Sequence, residues 1–285
     1  MKKTMLITGA SSGIGKATAL YFAQQGWQVM ATMRDPAKDD GLAQQPGILV
    51  MRLDVNDPLS IQAAIQAGID AYGRIDALVN NAGYGQQGLF EAIPPEKVQA
   101  QFDTNVFGLM HVTRAMLPHF RNNGSGIVIN VSSGAGRVTT PLLSVYAASK
   151  FAVEGFSESL SFELDSQNIR VKIIEPGFIP TTFYDRAGQE FAFDPALDDY
   201  KSFSDEMASF FKSFEGGNLF SAEDVARVIY TAATDDTHQL RYVAGPDIEP
   251  LLNLRNSKPD QDYVDYTRSV FTPNGFGQRT KALSY

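Results

Sequence analysis

The chain has 285 residues, of which 44% are hydrophobic and 20% charged, a balance typical of a folded globular protein. It contains no cysteine, which excludes disulfide bonds, thiolate metal sites and a cysteine nucleophile, and its three histidines are too scattered to predict a zinc cluster. The net charge of −8 argues against a nucleic-acid partner, because phosphate binding requires clustered lysine and arginine side chains.

The apolar segments of the sequence are too short to cross a membrane. A transmembrane helix needs about 20 consecutive apolar residues, and no window of the sequence approaches that length. The two lysines near the N-terminus are followed by a short apolar run before Thr8, which is not long enough for a signal peptide. We therefore expect no membrane span and a cytoplasmic location.

Short apolar runs alternate along the chain with longer segments of helical periodicity. The runs cover residues 5–8, 29–33, 48–53, 77–79, 127–131, 171–174 and 242–244. Several are continuous, as expected for parallel strands that are buried on both faces. Residues 15–25 and 60–72 are typical of the intervening helices, and Asp57 and Pro58 form a helix-start signal before the second. The pattern predicts an α/β fold with about seven parallel strands and helices on both faces of the sheet.

A glycine-rich turn follows the first predicted strand and opens the first predicted helix. Glycines there permit a tight turn and let the backbone approach a pyrophosphate, whose charge is favoured by the helix N-terminus. The spacing is G-x-x-x-G-x-G instead of the usual G-x-G-x-x-G, so a glycine-rich loop that binds nothing is the alternative. The candidate cofactor-binding residues of this turn are Gly9, Ser11, Ser12, Gly13, Ile14 and Gly15.

The same turn admits a second interpretation, as the nucleophile turn of an α/β-hydrolase. Residues 9–13 match the G-x-S-x-G pattern, which would make Ser11 the nucleophile. That fold needs earlier strands to build its oxyanion loop, whereas here the motif follows the first strand. It also needs a later histidine, and His238 is the one that comes late enough, within a polar sequence typical of a turn. We therefore rank the hydrolase well below nucleotide binding.

The end of the second predicted strand bears on the type of cofactor. An acidic residue about 20 positions beyond the glycine turn would bind an adenosine ribose, whereas an arginine would accommodate a 2′-phosphate. The residues at that distance are apolar Met33 and then Arg34, whose planar cation suits a phosphate. Asp35 is a competing ribose ligand, and a solvated turn is the other interpretation of Arg34. The sequence favours NADP(H), with NAD(H) as the alternative.

A tyrosine and a lysine lie one helical turn apart in the middle of the chain. Tyr146 and Lys150 are i and i+4 on a predicted helix, so they share one face. A free phenol has a pKa of about 10, and a neighbouring cation would lower that pKa and favour proton exchange with a carbonyl or an alcohol. Ser133 ends a predicted strand thirteen residues earlier and so faces the crevice at the carboxyl edge of the sheet.

With these motifs in order, the sequence resembles the short-chain dehydrogenase/reductase family in its compact single-domain form. The resemblance covers residues 4–181. The matching residues are Thr8, Gly9, Gly13, Gly15, Asp54, Asn80, Asn81, Ala82, Gly83, Asn105, Ser133, Tyr146, Lys150, Pro176, Gly177 and Thr181. The resemblance implies a Rossmann-type doubly wound sheet and a nicotinamide cofactor.

The resemblance also implies a role for each matched residue. Tyr146 would be the general acid/base, and Lys150 would lower its pKa and hold the nicotinamide ribose. Ser133 would hydrogen-bond the substrate oxygen, and Asn105 would anchor a proton-relay water. The residues implied to line the cofactor are Asp54 and Val55 at the adenine, Asn81, Ala82 and Gly83 beside it, and Pro176, Gly177 and Thr181 over the nicotinamide amide.

The reaction implied by the resemblance is reversible hydride transfer between NADP(H) and a carbonyl/alcohol pair. Residues 29–34 and 81–85 look most like the hydroxysteroid and retinol dehydrogenase branch of the family. Because the catalytic pattern is complete, a catalytically silent NADP(H)-binding sensor of the same fold is the weaker alternative.

Residues 183–220, here called the aromatic insertion, are rich in aromatic side chains. They are Phe183, Tyr184, Phe191, Phe193, Tyr200, Phe203, Phe210, Phe211, Phe214 and Phe220. In the resembled architecture this segment lies over the active site, so we expect a lid over a bulky, apolar substrate. Ordinary packing of a long insertion is the alternative.

The domain organisation follows from these segments. Residues 1–245, with the aromatic insertion, are expected to form one catalytic domain, in which Ser221 caps a helix that runs through Ala233. Residues 246–285 contain four prolines and little apolar order, and we expect an extension that closes the cleft or joins an oligomer surface. In the resembled family the helices that carry Asn105 and Tyr146 pack across a two-fold axis, which implies a homodimer or homotetramer.

Overall fold

The computed structural model describes residues 2–181, 191–212 and 219–271. Within these residues, seven parallel strands form one sheet in the order β3-β2-β1-β4-β5-β6-β7, which confirms the predicted fold class. The strands are β1 Thr4–Ile7, β2 Gln28–Met33, β3 Ile48–Arg52, β4 Ala77–Asn80, β5 Gly126–Val131, β6 Ile169–Pro176 and β7 Arg241–Ala244. The helices are α1 Gly13–Gln24, α2 Pro58–Tyr72, α3 Pro95–Phe102, α4 Leu109–Asn122, α5 Ser144–Asp165, α6 Lys201–Lys212, α7 Ala222–Thr234, α8 Glu249–Ser257 and α9 Asp260–Phe271.

The sheet is buried on both faces because successive strand residues point to opposite sides. Met5 and Ile7 of β1 join one apolar cluster, together with side chains of α1 and α7 such as Phe22 and Ile229. Leu6 joins the other cluster, which is formed with α2, α4 and α5. This two-sided burial explains the continuous apolar runs of the sequence, since alternation appears only where one face meets water.

The order in which successive strands are added to the sheet reverses between the neighbouring strands β1 and β4. Strands β1, β2 and β3 run outward to one edge, and β4 then pairs with the other side of β1. The loops at the carboxyl ends of these strands separate at that point and leave a crevice, the usual ligand site of an open α/β sheet.

Two helix starts follow the capping signals of the sequence. The Asp57 carboxylate accepts hydrogen bonds from the amides of Leu59 and Ser60 and so caps α2. Ser221 and Asp224 form a reciprocal capping box at α7, which ends one residue beyond the predicted Ala233.

Strand β6 is longer than the apolar run predicts. Residues 171–174 were the expected strand, whereas β6 extends over Ile169–Pro176. Its buried Lys172 donates hydrogen bonds to the carbonyls of Thr237 and Gln239 at 2.7 and 2.9 Å and to the Tyr242 hydroxyl at 2.8 Å. A buried charge is tolerated in a strand when it is paired in this way, and hydropathy alone underestimates such a strand.

Residues 246–271, the described part of the extension, are more ordered than their composition suggests. Helices α8 and α9 occupy residues 249–257 and 260–271, and Pro250 lies in the first turn of α8, where its missing N–H costs nothing. No helix in the described part of the chain is both long and apolar enough to span a bilayer. Residues 2–181, 191–212 and 219–271 also contain no cluster of three His, Cys, Asp or Glu side chains suited to a metal ion.

Candidate active site

The carboxyl edge of the sheet holds one cleft that gathers nearly all the candidate residues. Asn105 is the exception and lies behind the wall. The candidates that line the cleft are Gly9, Ser11, Ser12, Gly13, Ile14, Gly15, Arg34, Asp54, Val55, Asn81, Ala82, Gly83, Ser133, Tyr146, Lys150, Pro176, Gly177 and Thr181.

The glycine-rich turn is pressed against the loop that follows β4. Gly9 has a φ of +69°, and a Cβ there would lie 2.8 Å from the Cα of Ala82. A Cβ on Gly15 would lie 2.2 Å from the carbonyl oxygen of Gly9. The Asn81 amide completes the junction by donating to the carbonyls of Thr8 and Gly9, both at 3.0 Å. The site therefore requires glycine at both positions and leaves the N-terminus of α1 open to the cleft.

This arrangement fits a dinucleotide. The first turn of α1 contains no acidic side chain, so the positive end of the helix dipole is available to a diphosphate. Gly13, at a φ of +54°, faces Thr181, which brings the segment after β6 close to the same turn.

The structure separates the two residues that a hydrolase would need. Ser11 follows β1 at the carboxyl edge of the sheet, whereas His238 precedes β7 and lies at the amino edge. The His238 side chain is 81% exposed and pairs with Asp165 at 3.5 Å. A serine–histidine pair is therefore not formed, and the hydrolase interpretation is wrong.

The end of β2 presents an arginine to the cleft and turns the neighbouring acid away. Arg34 is exposed and lines the cleft beside buried Met33. The Asp35 carboxylate accepts a hydrogen bond from the Ala37 amide at 3.1 Å and caps the short helical turn at residues 36–38. Asp35 is thus engaged in local structure and does not line the cleft.

The loop after β3 forms the part of the cleft where the sequence predicts the adenine contacts. An Asp54 carboxylate oxygen accepts from the amide of Asn56 at 3.0 Å, and the Ser60 hydroxyl bonds the backbone of Asp54. Val55 is buried and packs on Gly108, where a Cβ would lie 2.5 Å from its Cγ2 atom. These contacts fix the loop at the start of α2.

Tyr146, Ser133 and Lys150 meet at the inner end of the cleft. Tyr146 and Lys150 are both buried on one face of α5, with the Lys150 Nζ 5.7 Å from the centre of the Tyr146 ring. Ser133 is hydrogen-bonded to the Tyr146 side chain and accepts a bond from the Ala135 amide at 3.1 Å. Lys150 Nζ donates to the carbonyl of Val131, the last residue of β5, at 2.9 Å. Strand β5 therefore holds both the serine and the lysine against the tyrosine.

Burial dominates the protonation of this group. It raises the pKa of Tyr146 to about 12, although the hydrogen bond with Ser133 acts in the opposite direction. It lowers the pKa of Lys150 to about 8, against the opposing effect of the Glu154 carboxylate. The sequence predicts a lowered pKa for Tyr146, and the net shift is in the other direction because desolvation of the phenolate outweighs its favourable contacts. Tyr146 therefore carries its proton at neutral pH.

Asn105 does not line the cleft, and its side chain instead supports one wall from behind. It lies in a π-helical segment, Asp103–Gly108, between α3 and α4. Its side chain accepts from the Tyr84 amide at 3.1 Å and donates to the Tyr84 carbonyl at 2.9 Å and the Ser149 hydroxyl at 3.2 Å. It thereby joins the loop after β4 to α5. In a regular α-helix the Leu109 amide would donate to the Asn105 carbonyl. Here it donates to the Val106 carbonyl instead.

The cleft also contains residues that the sequence analysis did not select. They are Met33, Leu53, Asn56, Tyr84, Thr104, Val131, Ser132 and Ile179. Seven of them are close in sequence to a selected residue near a strand end, and Thr104 is adjacent to Asn105 in the segment between α3 and α4. This adjacency is the signal that could have found them.

The aromatic insertion is described only in part. Phe183, Tyr184 and Phe214, and the side chains of Phe210 and Phe211, lie outside the described residues. Phe191, Phe193 and Tyr200 are 39%, 69% and 40% exposed, whereas Phe220 packs on the core. The Ala192 amide bonds the carbonyl of Gln87 at 2.9 Å, so the insertion contacts the loop after β4.

Comparison with known proteins gives one family. The sequence model described as short chain dehydrogenase matches residues 3–190. The chain is 39% identical over 267 residues to the uncharacterized oxidoreductase YusZ of Bacillus subtilis, covering 90% of this chain and 94% of that protein. It is 40% identical over 181 residues to the 3-ketodihydrosphingosine reductase of Bacteroides thetaiotaomicron, covering 64% of this chain and 65% of that protein.

Solved structures show the same fold, in two cases with a nicotinamide cofactor. A short-chain dehydrogenase from Streptomyces avermitilis has a TM-score of 0.77 and 30% identity, covering 98% of this chain and 100% of its own. A 3-ketoacyl-(acyl-carrier-protein) reductase from Brucella melitensis in complex with NADH has 0.73 and 27%, covering 85% and 96%. ElxO with NADP bound has 0.71 and 28%, covering 86% and 98%. The chain therefore belongs to the short-chain dehydrogenase family and is an oxidoreductase that uses a nicotinamide cofactor.

Proposed function

We propose that this protein is an NADP(H)-dependent oxidoreductase that interconverts a bulky, apolar carbonyl compound and its alcohol. The observation that carries the proposal is the hydrogen-bonded Ser133–Tyr146 pair, with Lys150 beside it, in the same cleft as the glycine-rich turn. Proton chemistry and nucleotide binding are thus available within one site, as a carbonyl/alcohol reaction requires.

The cofactor would be held by groups from four strand ends. Its diphosphate would lie on the turn at residues 9–15, its adenine against Asp54 and Val55, and its nicotinamide between Lys150 and the segment at residues 176–181. When bound, the nicotinamide supplies or accepts the hydride. Arg34 supports NADP(H) because it is an exposed cation at the end of β2, and because Asp35 is occupied by the Ala37 amide.

The side chains of the protein would then handle the proton. At neutral pH Tyr146 is a neutral phenol, which is the form that donates a proton to a carbonyl oxygen during reduction. Ser133 would orient that oxygen through its hydroxyl. Lys150 would stabilise the phenolate that forms, since it is a buried cation on the same helical face. In the reverse direction the phenolate would accept the proton of the alcohol.

Two observations support a bulky, apolar substrate. Three aromatic residues of the insertion, Phe191, Phe193 and Tyr200, are exposed, and the insertion contacts the loop that carries Tyr84, a residue of the cleft. One relative, the reductase of Bacteroides thetaiotaomicron, is named for a long-chain ketone. If the substrate of this protein is a similarly apolar ketone, the aromatic side chains of the insertion would provide an apolar surface for it.

We also propose a homo-oligomer. Phe107 lies in the segment between α3 and α4, and Phe151 and Phe162 lie on α5, and all three are exposed large apolar side chains on neighbouring elements. Exposed apolar groups on adjacent helices are typical of protein interfaces. Light scattering on the purified protein would test this, and a monomer at micromolar concentration would contradict it.

The function is tested with NADPH oxidation against a panel of small and long-chain ketones and aldehydes. Tyr146→Phe should lower kcat by about 10²–10⁴-fold, the usual contribution of a general acid, because it removes the proton and little volume. Its Kd for NADPH, measured by titration, should match that of the wild type. Near-normal turnover in the variant would refute the role of Tyr146. A wild type that binds NADPH and reduces none of the panel would favour a cofactor sensor instead.

A further inference from the structure

The described part of the C-terminal extension packs on the loop that follows Ser133. Ile248 lies against Gly134, where a Cβ would come within 2.0 Å of the Ile248 Cγ1 atom. Next to it, Val138, Leu252 and Tyr263 form a small buried cluster that is separate from the two faces of the sheet. The loop that begins with the candidate substrate-binding serine is therefore seated on α8 and α9.

Polar contacts reinforce this seat. Arg137 donates to the Asn256 side chain on α8 at 2.8 Å and pairs with buried Glu175 on β6 at 3.3 Å. The side chain of Tyr263 on α9 is hydrogen-bonded to the backbone of Thr139. These polar contacts at Arg137 and Thr139 flank Val138, the residue of the Ser133 loop that belongs to the apolar cluster.

A second contact of the extension reaches the segment after β6. The Asp247 carboxylate accepts a hydrogen bond from the Phe178 amide at 2.7 Å. Its other oxygen, Oδ1, is buried and has no hydrogen-bond partner within the described residues. That oxygen lies 2.2 Å from the position of a Cβ on Gly177 and 2.5 Å from that of a Cβ on Gly245. The carboxylate therefore fits between two glycines that have no room for a side chain.

The two contacts come from adjacent residues but act on different walls of the cleft. Asp247 holds the segment that contains Gly177, Phe178 and Ile179, of which Gly177 and Ile179 line the cleft. Ile248 holds the turn that begins at Ser133. Catalytic geometry has to be kept within about 0.5 Å, and loops reach that precision only when a second layer of contacts supports them.

We propose that Asp247 and Ile248 are positioning residues, which hold the nicotinamide segment and the Ser133 loop in register from the C-terminal extension. This inference rests on the proposed function and assigns the extension a part in it. The proposal predicts two separate effects. Loss of the Asp247 contact should weaken cofactor binding, and loss of the Ile248 contact should lower kcat.

The test compares four variants of the full-length chain. Asp247→Ala removes the acceptor of the Phe178 amide and should raise the Kd for NADPH by about tenfold, the effect of one charge-assisted hydrogen bond. Asp247→Asn keeps an acceptor oxygen and should restore most of the affinity. Ile248→Ala should lower kcat by about tenfold at saturating NADPH, with an unchanged Kd, because the Ser133 loop shifts. Glu249→Ala, at the adjacent exposed position, is the matched control and should change neither quantity.

The readouts distinguish positioning from simple loss of stability. Tm is measured for every variant, and if Ile248→Ala does not fold, Ile248→Val, which removes one methyl group, takes its place. Equal loss in Asp247→Asn and Asp247→Ala, or wild-type Kd and kcat in Asp247→Ala and Ile248→Ala, would overturn the inference. The Kd needs no turnover, so a weakened Asp247→Ala in a protein that reduces no ketone would support the Asp247 contact while the proposed function fails.

Discussion

At the scale of the single residue, burial sets the protonation of Tyr146 and Lys150. Tyr146 is buried against Ser133 and keeps its proton, and Lys150, buried one turn away, is close to losing its charge near pH 8. The burial that encloses the pair raises the free energy of the phenolate. At neutral pH the site therefore holds Tyr146 as the protonated phenol, the form that a proton donor needs.

The two pKa values predict opposite pH dependences for the two directions. In reduction the neutral phenol is present at all pH values below about 12, while the Lys150 charge is present below about 8 and lost above it. Reduction should therefore be constant at low pH and fall as pH rises through about 8. Oxidation needs the phenolate and should increase with pH from 7 to 10.

These profiles are measured as kcat/KM in both directions over pH 6–10 in constant-ionic-strength buffer. Lys150→Met, which has no charge to lose, should remove the break near 8 in the reduction profile. A wild-type reduction rate that stays constant through pH 10 would contradict the assignment.

Arg34 is the residue that we expect to select the cofactor. Arg34→Ala should weaken NADPH binding by about 10–100-fold, since a hydrogen bond to a charged group contributes about 1.5–3 kcal/mol. The Kd for NADH, which has no 2′-phosphate, should change little. Lys38→Ala serves as the control, because it removes an exposed cation from the same turn. A parallel loss of NADH affinity would point to a general effect on the fold.

At the scale of the element, buried polar groups shape strands that hydropathy describes poorly. Lys172 lies within β6 with no exposed surface, and it is enclosed by Asp235, Thr237 and Tyr242. Burial acts to raise the pKa of Asp235, but hydrogen bonds from Tyr242, Thr237 and Lys172 outweigh it and hold that pKa at about 2. The lysine thus ties the turn before β7 to the middle of β6.

Removal of this lysine should be costly although it lies far from the cleft. Lys172→Ala would leave the Asp235 carboxylate and the turn carbonyls without their partner, and such a loss costs about 3–5 kcal/mol of unfolding free energy. Urea denaturation would measure this loss of unfolding free energy. Lys201→Ala, which removes an exposed ion pair, is the control and should change the unfolding free energy little. A small effect for Lys172→Ala would show that water replaces the ammonium group.

At the scale of the whole molecule, segments distant in sequence converge on the carboxyl edge of the sheet. The insertion contacts the loop after β4 through Ala192, and through Tyr200, which bonds Glu91 at 3.3 Å. The C-terminal helices support the loop after Ser133 from another direction. The sheet thereby provides a rigid base, and chain segments outside the family motifs contact and support the loops that form the walls of the cleft.

The lid hypothesis belongs to this scale. Phe191→Ser combined with Phe193→Ser should raise the KM for a long-chain ketone by about tenfold or more, since burial of each exposed ring against the substrate would contribute about 1.5–3 kcal/mol. The KM for a small ketone should stay the same. Leu59→Ser, on the exposed face of α2, is the control for loss of a surface apolar side chain. Equal losses for small and long-chain substrates would contradict a lid.

The sequence by itself determined the fold class and predicted most of the residues that line the cleft. Apolar runs identify strands that are buried on both faces, and residues such as Gly9, Ser133 and Tyr146 lie at strand and helix ends whose positions local periodicity predicts. The conformation of the turn follows a local rule at Gly9, because its positive φ favours glycine. Local chemistry is readable from local sequence.

Only the tertiary structure decided the properties that depend on surroundings. The direction of the Tyr146 pKa shift comes from burial by segments far apart in the chain. The engagement of Asp35, the paired burial of Lys172 and the seating of Ile248 on Gly134 likewise depend on contacts that periodicity cannot predict. Desolvation and packing are properties of the folded neighbourhood, so they become visible when the chain has brought those neighbours together.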